Sequence, residues 1–239
     1  MYRQIGFAMV GFALASTAQA YTIELSGNSG GNPATSNVYQ VTDLAVGDMF
    51  SVNWLLPANT QNSDNNSLPV ALRATGKFTV SEINNGSIKL GISLKNTTVR
   101  GSYGERLSLT ALGLTTGNNT VDSAAISGGT TFDGASTANF PAFSTDACFF
   151  TGSNCAGGGN PGQSLNPGGT DAFMVALMGD FKAGASITLD TFATKWQTGN
   201  GSYELAGSPV PVPGAVWLLG SGLLGLVGFG RRKPAAEAS

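Results

Sequence analysis

Between Tyr21 and Ser208, apolar and polar residues alternate in short runs separated by clusters of Gly, Asn, Ser, Thr and Pro. A period of two puts successive side chains on opposite faces, so each run predicts a half-buried β-strand. Tyr21 to Ser26 sets Ile23 and Leu25 in step, and Gly27 to Pro33 breaks the run. Val38 to Leu44 is extended again, with a turn at Gly47-Asp48. Met49 to Leu55 then places Phe50, Val52 and Trp54 on one face and Ser51 and Asn53 on the other. Pro57 to Pro69 is a polar loop. Lys77 to Ile83 and Ser87 to Lys95 flank Asn84-Asn85-Gly86, and Asn-Gly predicts a tight type I′ hairpin. Arg106 to Leu114 sets Leu107, Leu109 and Ala111 in step, and Thr115 to Asn139 has room for one or two short strands. Asp171 to Met178 is almost continuously apolar, as in a strand covered on both faces. Ser186 to Leu189, Phe192 to Gln197 and Tyr203 to Leu205 complete the pattern. Eight to ten strands predict an all-β, antiparallel β-sandwich, jelly-roll-like or immunoglobulin-like.

Two stretches abandon the alternation. Ile5 to Ala15 is apolar, follows Arg3, and leads to Ala18-x-Ala20. Those features predict a secretory signal peptide over residues 1–20, read as a signal helix cut between Ala20 and Tyr21. At the other end, Val210-Pro211-Val212-Pro213 precedes a span from Gly214 to Gly230 and the cations Arg231, Arg232 and Lys233. Its 17 residues give about 25 Å of helix, at the lower limit for a hydrocarbon core of about 30 Å. A single transmembrane helix over 214–230 is therefore expected, with 231–233 stopping transfer on the cytoplasmic side of the inner membrane.

Proline motif, span and cations in that order, with Trp217-Leu218-Leu219-Gly220-Ser221-Gly222 inside the span, resemble the PEP-CTERM sorting signal of exosortase-processed exported proteins. The family motif is Val-Pro-Glu-Pro, and here Val212 occupies the glutamate position. The resemblance covers residues 209–239 and implies removal of the helix by an exosortase-like enzyme. It further implies a mature protein in the cell envelope or outside the cell, associated with exopolysaccharide or biofilm. A permanently membrane-anchored surface protein would share every feature except the cut.

The intervening domain, 21–208, carries eight Lys and Arg against thirteen Asp and Glu. That acidic balance disfavours nucleic acid as a partner. Cys148 and Cys155 in an exported chain predict a disulfide that shapes a local loop. The Cys-x6-Cys-Ala-Gly-Gly-Gly block is similar to the "cistern" subgroup of the same family, which brings no activity with it.

Catalysis has little support. The chain has no His, which removes the commonest general base, and its carboxylates are scattered singly. Neither a cofactor motif nor a metal-ligand spacing stands out, so no cofactor, metal or catalytic residue is expected. Asn62-Ser63-Asp64-Asn65-Asn66 alternates oxygen ligands as calcium loops do, but reads more simply as a turn. A carbohydrate-binding module is the alternative reading and needs exposed coplanar aromatics. Trp54 and Trp196 fall in the apolar phase of their strands, leaving Tyr103 and Tyr203 as the rings expected to reach solvent.

Overall fold

The computed structural model describes residues 21–211, apart from 28–29, 34–36, 118, 138–139 and 157–162. The predicted leader including Ala20, and residues 212–239 with Val212, Pro213, the span and the basic cluster, lie outside the described residues.

Within them the chain is all-β: thirteen strands in two antiparallel sheets. The seven-stranded sheet runs β1 (Thr22–Leu25), β2 (Tyr39–Leu44), β11 (Ile187–Thr198), β6 (Leu107–Thr115), β9 (Ala147–Phe150), β8 (Gly134–Ser136), with β12 (Gly201–Ala206) also on β11. The six-stranded sheet runs β13 (Ser208–Pro211), β3 (Met49–Leu56), β4 (Leu72–Asn84), β5 (Ser87–Asn96), β10 (Thr170–Gly179), β7 (Val121–Ser127). The chain passes repeatedly from one sheet to the other, so both stand on one hydrophobic cluster.

That cluster follows from the alternation. Phe50, Trp54, Phe78, Leu90 and Phe173 come from the six-stranded sheet, and Leu109, Leu112, Phe149, Phe192 and Trp196 from the other. Phe50 stacks on Phe78 at 5.1 Å, and both meet the Phe192 ring edge-on at 5.5 and 5.4 Å. Such offset and edge contacts match the ring quadrupoles. Gly76 has no alternative here, because a Cβ would lie 2.9 Å from the Trp54 and Phe78 rings.

Hydrogen bonds cross the core where a bulge frees an acceptor. The edge partner of β11 changes from β2 to β12 between Asp190 and Ala193, and Thr191 there adopts φ 51°. A β-branched residue in the left-handed region marks real backbone strain. The irregularity leaves the Phe192 carbonyl to accept the Trp54 indole N–H at 2.8 Å and the Gly207 amide at 2.7 Å. On the other side Asn96, fully buried, donates to the carbonyls of Leu107 and Leu165 at 3.0 and 2.9 Å.

Several expectations are corrected. Asp171–Met178 lies in β10, whose outer face is open: Ala172, Met174 and Met178 are exposed while Asp171, Phe173, Val175 and Leu177 are buried. The strand is apolar on both faces without being covered on both. The strands covered on both faces are β6, β9 and much of β11, because Phe140, Phe143, Cys148, Phe150 and Cys155 pack with Ala111 and Ala193 at the back of the seven-stranded sheet. Ala111 is out of step with Leu107 and Leu109, since a bulge at Thr110 turns it to that second cluster and brings Leu112 and Leu114 inward. The β4–β5 hairpin forms with Asn84 opposite Ser87, but only Gly86 of its two turn residues has positive φ, so the turn is not type I′. Asn85 instead accepts the Ala183 amide through its side chain, and the Gly86 amide donates to the Phe181 carbonyl.

Pairing also continues beyond residue 208. Ser208–Pro211 is an edge strand pairing Ser208 with Asn53 and Val210 with Ser51. Proline has no N–H, so the ladder donors must be Ser208 and Val210. Pro209 and Pro211 then turn their donor-less nitrogens to the open side, which blunts the edge against further pairing. The ladder therefore continues past residue 208 to Pro211, the last of the described residues.

Candidate functional site

The sequence-predicted residues fall in three places. Cys148 and Cys155 form the predicted disulfide, both sulfurs buried, at the back of β9. Val210 and Pro211 of the sorting motif are the end of β13. Tyr21, the expected first residue after signal cleavage, packs on Phe50 with ring centroids 6.1 Å apart. Ala20, Val212, Pro213, Arg231, Arg232 and Lys233 lie outside the described residues. Nothing brings the disulfide and the motif together: they sit on opposite sheets.

Several of the scattered carboxylates have structural partners. Asp171 points inward from β10 and accepts the amides of Thr130, Thr131 and Phe132 and the Thr130 hydroxyl, at 2.7 to 3.0 Å. It thereby clamps the crossover from β7 to β8. Burial pushes its pKa up, but the four hydrogen bonds outweigh that and hold the carboxyl below its ordinary value. Asp146 accepts the Thr116 amide and hydroxyl, and Asp180 the Thr120 amide. Glu204 is the exception in being buried against a cation. Its carboxylate stands 3.4 Å from the Lys195 ammonium, with side chains only 5% and 6% exposed. Burial pushes the Glu204 pKa up, and Lys195 offsets part of that rise. Lys195 also donates to the Ala156 carbonyl at 2.9 Å, tying β11 to the residue after the disulfide. The pair lies at the back of the seven-stranded sheet, where the Asn32 side chain also hydrogen-bonds the Glu204 carboxylate and lowers its pKa, while the Asp64 carboxylate adds a small push upward.

The Asn62 loop and the aromatics are also accounted for. Asn62 Oδ1 accepts the amides of Asp64 and Asn66, closing the turn with the oxygen that a cation would need. Tyr203 does not reach solvent as expected: it is fully buried, and its hydroxyl donates to the Asn66 carbonyl at 2.9 Å. Trp54 and Trp196 are buried as well, and Tyr103 is half-buried with its hydroxyl on Asn200. The described residues therefore present no aromatic platform.

The feature missed in the sequence is the outer face of the six-stranded sheet. Arg73 and Lys77 on β4 and Lys89 and Lys95 on β5 all occupy its outward phase, and they are four of the eight cations of an acidic domain. The exposed acids on these strands are Glu82, paired with Lys89 at 2.8 Å, and Asp122 on the far edge strand. Among the described residues, five of the eight exposed large apolar side chains are also here: Met49, Leu55, Met174, Met178 and Val210. Register aligns Val210, Ser51, Lys77, Ser93 and Ala172 in one row across the sheet, and Met49, Thr79, Gly91 and Met174 in the next. Gly91 lowers the surface between Lys77 and Met174, leaving an open groove of about 460 Å³. The signal was available in each strand's own alternation: Lys77 is out of phase with Phe78 and Val80, and Lys89 and Lys95 with Ile88 to Leu94, although a bulge between Val80 and Glu82 shifts the hairpin register that joins them.

Comparison of the chain with family models, curated proteins and solved structures finds no match.

Proposed function

We propose that the chain is an exported, non-enzymatic surface or extracellular-matrix protein, a β-sandwich of jelly-roll-like or immunoglobulin-like type delivered by its two ends. Residues 1–20 start export. The C-terminal PEP-CTERM-like signal holds the protein transiently in the inner membrane until an exosortase-like enzyme releases it toward an exopolysaccharide or biofilm matrix. The observation that carries this reading is the fixed order of Val210-Pro211-Val212-Pro213, the apolar run and Arg231-Arg232-Lys233. Two features of the fold support it. The Cys148–Cys155 disulfide suits an oxidising compartment, and the sheet carries the chain as far as Pro211, inside the proline motif. A cut beyond Pro211 would leave every described strand in place.

The test is localisation of the full chain and of a chain stopped after Pro211. The shorter form should reach the periplasm and remain soluble, and the full form should pass through a membrane-bound precursor. Equal distribution of the two forms would remove any sorting role for 212–239. Stopping the chain at residue 208 is the wrong control, because it strips β13 and opens the β3 edge.

A further inference from the structure

We infer that the outer face of the six-stranded sheet is a docking surface for anionic lipid headgroups, and that it lies against the membrane while the C-terminal span is inserted. Charge is the first reason. Arg73, Lys77 and Lys95, with the Lys89–Glu82 ion pair among them, make this face net positive on a domain whose acids outnumber its cations, so an anionic headgroup layer attracts this face and repels the rest. Side-chain chemistry is the second. Exposed Met49, Met174 and Val210 interleave with those cations, as on surfaces that press apolar groups into the headgroup layer while ammonium groups meet phosphate.

Position is the third. β13 is the edge strand of this sheet, and Pro211 lies opposite Phe50, so the chain leaves the domain beside Met49. The apolar run starts at Gly214, three residues on, a reach of about 10 Å at most. Two strand spacings, again about 10 Å, separate Val210 from Lys77. An inserted span therefore holds the β13 edge of this face within about one headgroup layer of the bilayer, from which its cations can settle onto the lipid. Only this last reason rests on the proposed span; the charge and the interleaved methionines stand without it. Release from the span removes the tether, and the face alone then has to hold the domain, more weakly at high salt.

The test uses the full chain with vesicles of phosphatidylcholine alone or with added phosphatidylglycerol. Flotation on neutral vesicles reports the span. Acylation of individual lysines, read by mass spectrometry, reports the face, with exposed Lys182 on the β10–β11 loop as the reference. Anionic vesicles should slow modification of Lys77 and Lys95 several-fold relative to Lys182, reversibly with salt, while neutral vesicles should not. Each surface cation contributes about fivefold to partitioning, so K77Q/K95Q should weaken the salt-sensitive component roughly 25-fold. These side chains are outward, and an unchanged circular dichroism spectrum confirms that the variant folds. A chain that fails to float on neutral vesicles loses the span reading, yet must still bind anionic ones through Lys77 and Lys95. Equal lysine reactivity on both vesicle types overturns the inference. So does protection by soluble polygalacturonate with none from anionic vesicles, which would assign the face to an acidic polymer.

Discussion

Replacing Lys195 with Met leaves the buried Glu204 carboxylate without its cation, and the cost should depend steeply on pH. In the native protein the two charges lie 3.4 Å apart with almost no solvent access. Removing one partner of such a pair typically costs about 3–5 kcal/mol, because the other charge stays buried and uncompensated. Burial already raises the Glu204 pKa, and Lys195 works against that rise. Without Lys195 the folded value moves further above the ordinary carboxylate range. A raised folded pKa means the folded state binds more protons than the unfolded one, so stability falls as pH rises from about 4 through the folded value. Within that window the slope is about 1.4 kcal/mol per pH unit. Urea unfolding followed by tryptophan fluorescence at pH 4 and pH 8 measures it. The K195M deficit should be several kcal/mol at pH 8 and should shrink or reverse at pH 4, where Glu204 is neutral in both proteins. K195M/E204L should recover most of the loss at pH 8. An equal deficit at both pH values would refute the reasoning and assign the loss to the Ala156 hydrogen bond or to packing.

Three further outcomes are expected. Asp171 has its folded pKa lowered, so its stabilisation is complete above the ordinary carboxylate range and disappears as pH falls through the folded value. D171N should therefore lose about 1–3 kcal/mol at neutral pH, a gap that closes below about pH 4; a thermal-melt difference constant with pH would exclude the clamp. Val210 must donate to β3, so V210P should detach β13 and speed amide exchange in Met49–Leu56, whereas P209A should not; similar exchange in both would mean the ladder runs otherwise. C148A/C155A opens an eight-residue loop worth about 2.5 kcal/mol in chain entropy and should lower the unfolding midpoint without loss of the strand signal in circular dichroism.

How legible these features were depends on which force decided them. Phe50, Val52 and Trp54 alternate cleanly because one face of β3 meets the core and the other meets water, and burial follows the pattern. β10 misled because methionine and alanine on its outer face are apolar without being covered. In β6 the bulge at Thr110 shifts the phase by one residue, and a bulge is decided by the partner strand rather than by local composition. β9 contains Cys148 and follows directly on the Asp146 turn, and its four residues are too few to show a period. Tyr203 sits beside glycine and serine and looks exposed, but the Asn66 carbonyl lets its hydroxyl be buried. β13 is instructive in another way. Alternating prolines read as a linker, yet they are what an edge strand tolerates, since every second residue needs no donor. The cationic face was half legible: each of the four side chains lies outside the apolar phase of its own strand, but that the two strands turn them to one side depends on the bulge between Val80 and Glu82.

Intact mass of the protein recovered outside the cell tests the central claim most directly. Export and sorting by the two ends require a product that begins at Tyr21, contains the Cys148–Cys155 disulfide, and ends within the proline motif, without Trp217. A product that retains residues 1–20, or one that carries the apolar run through Lys233, would contradict it.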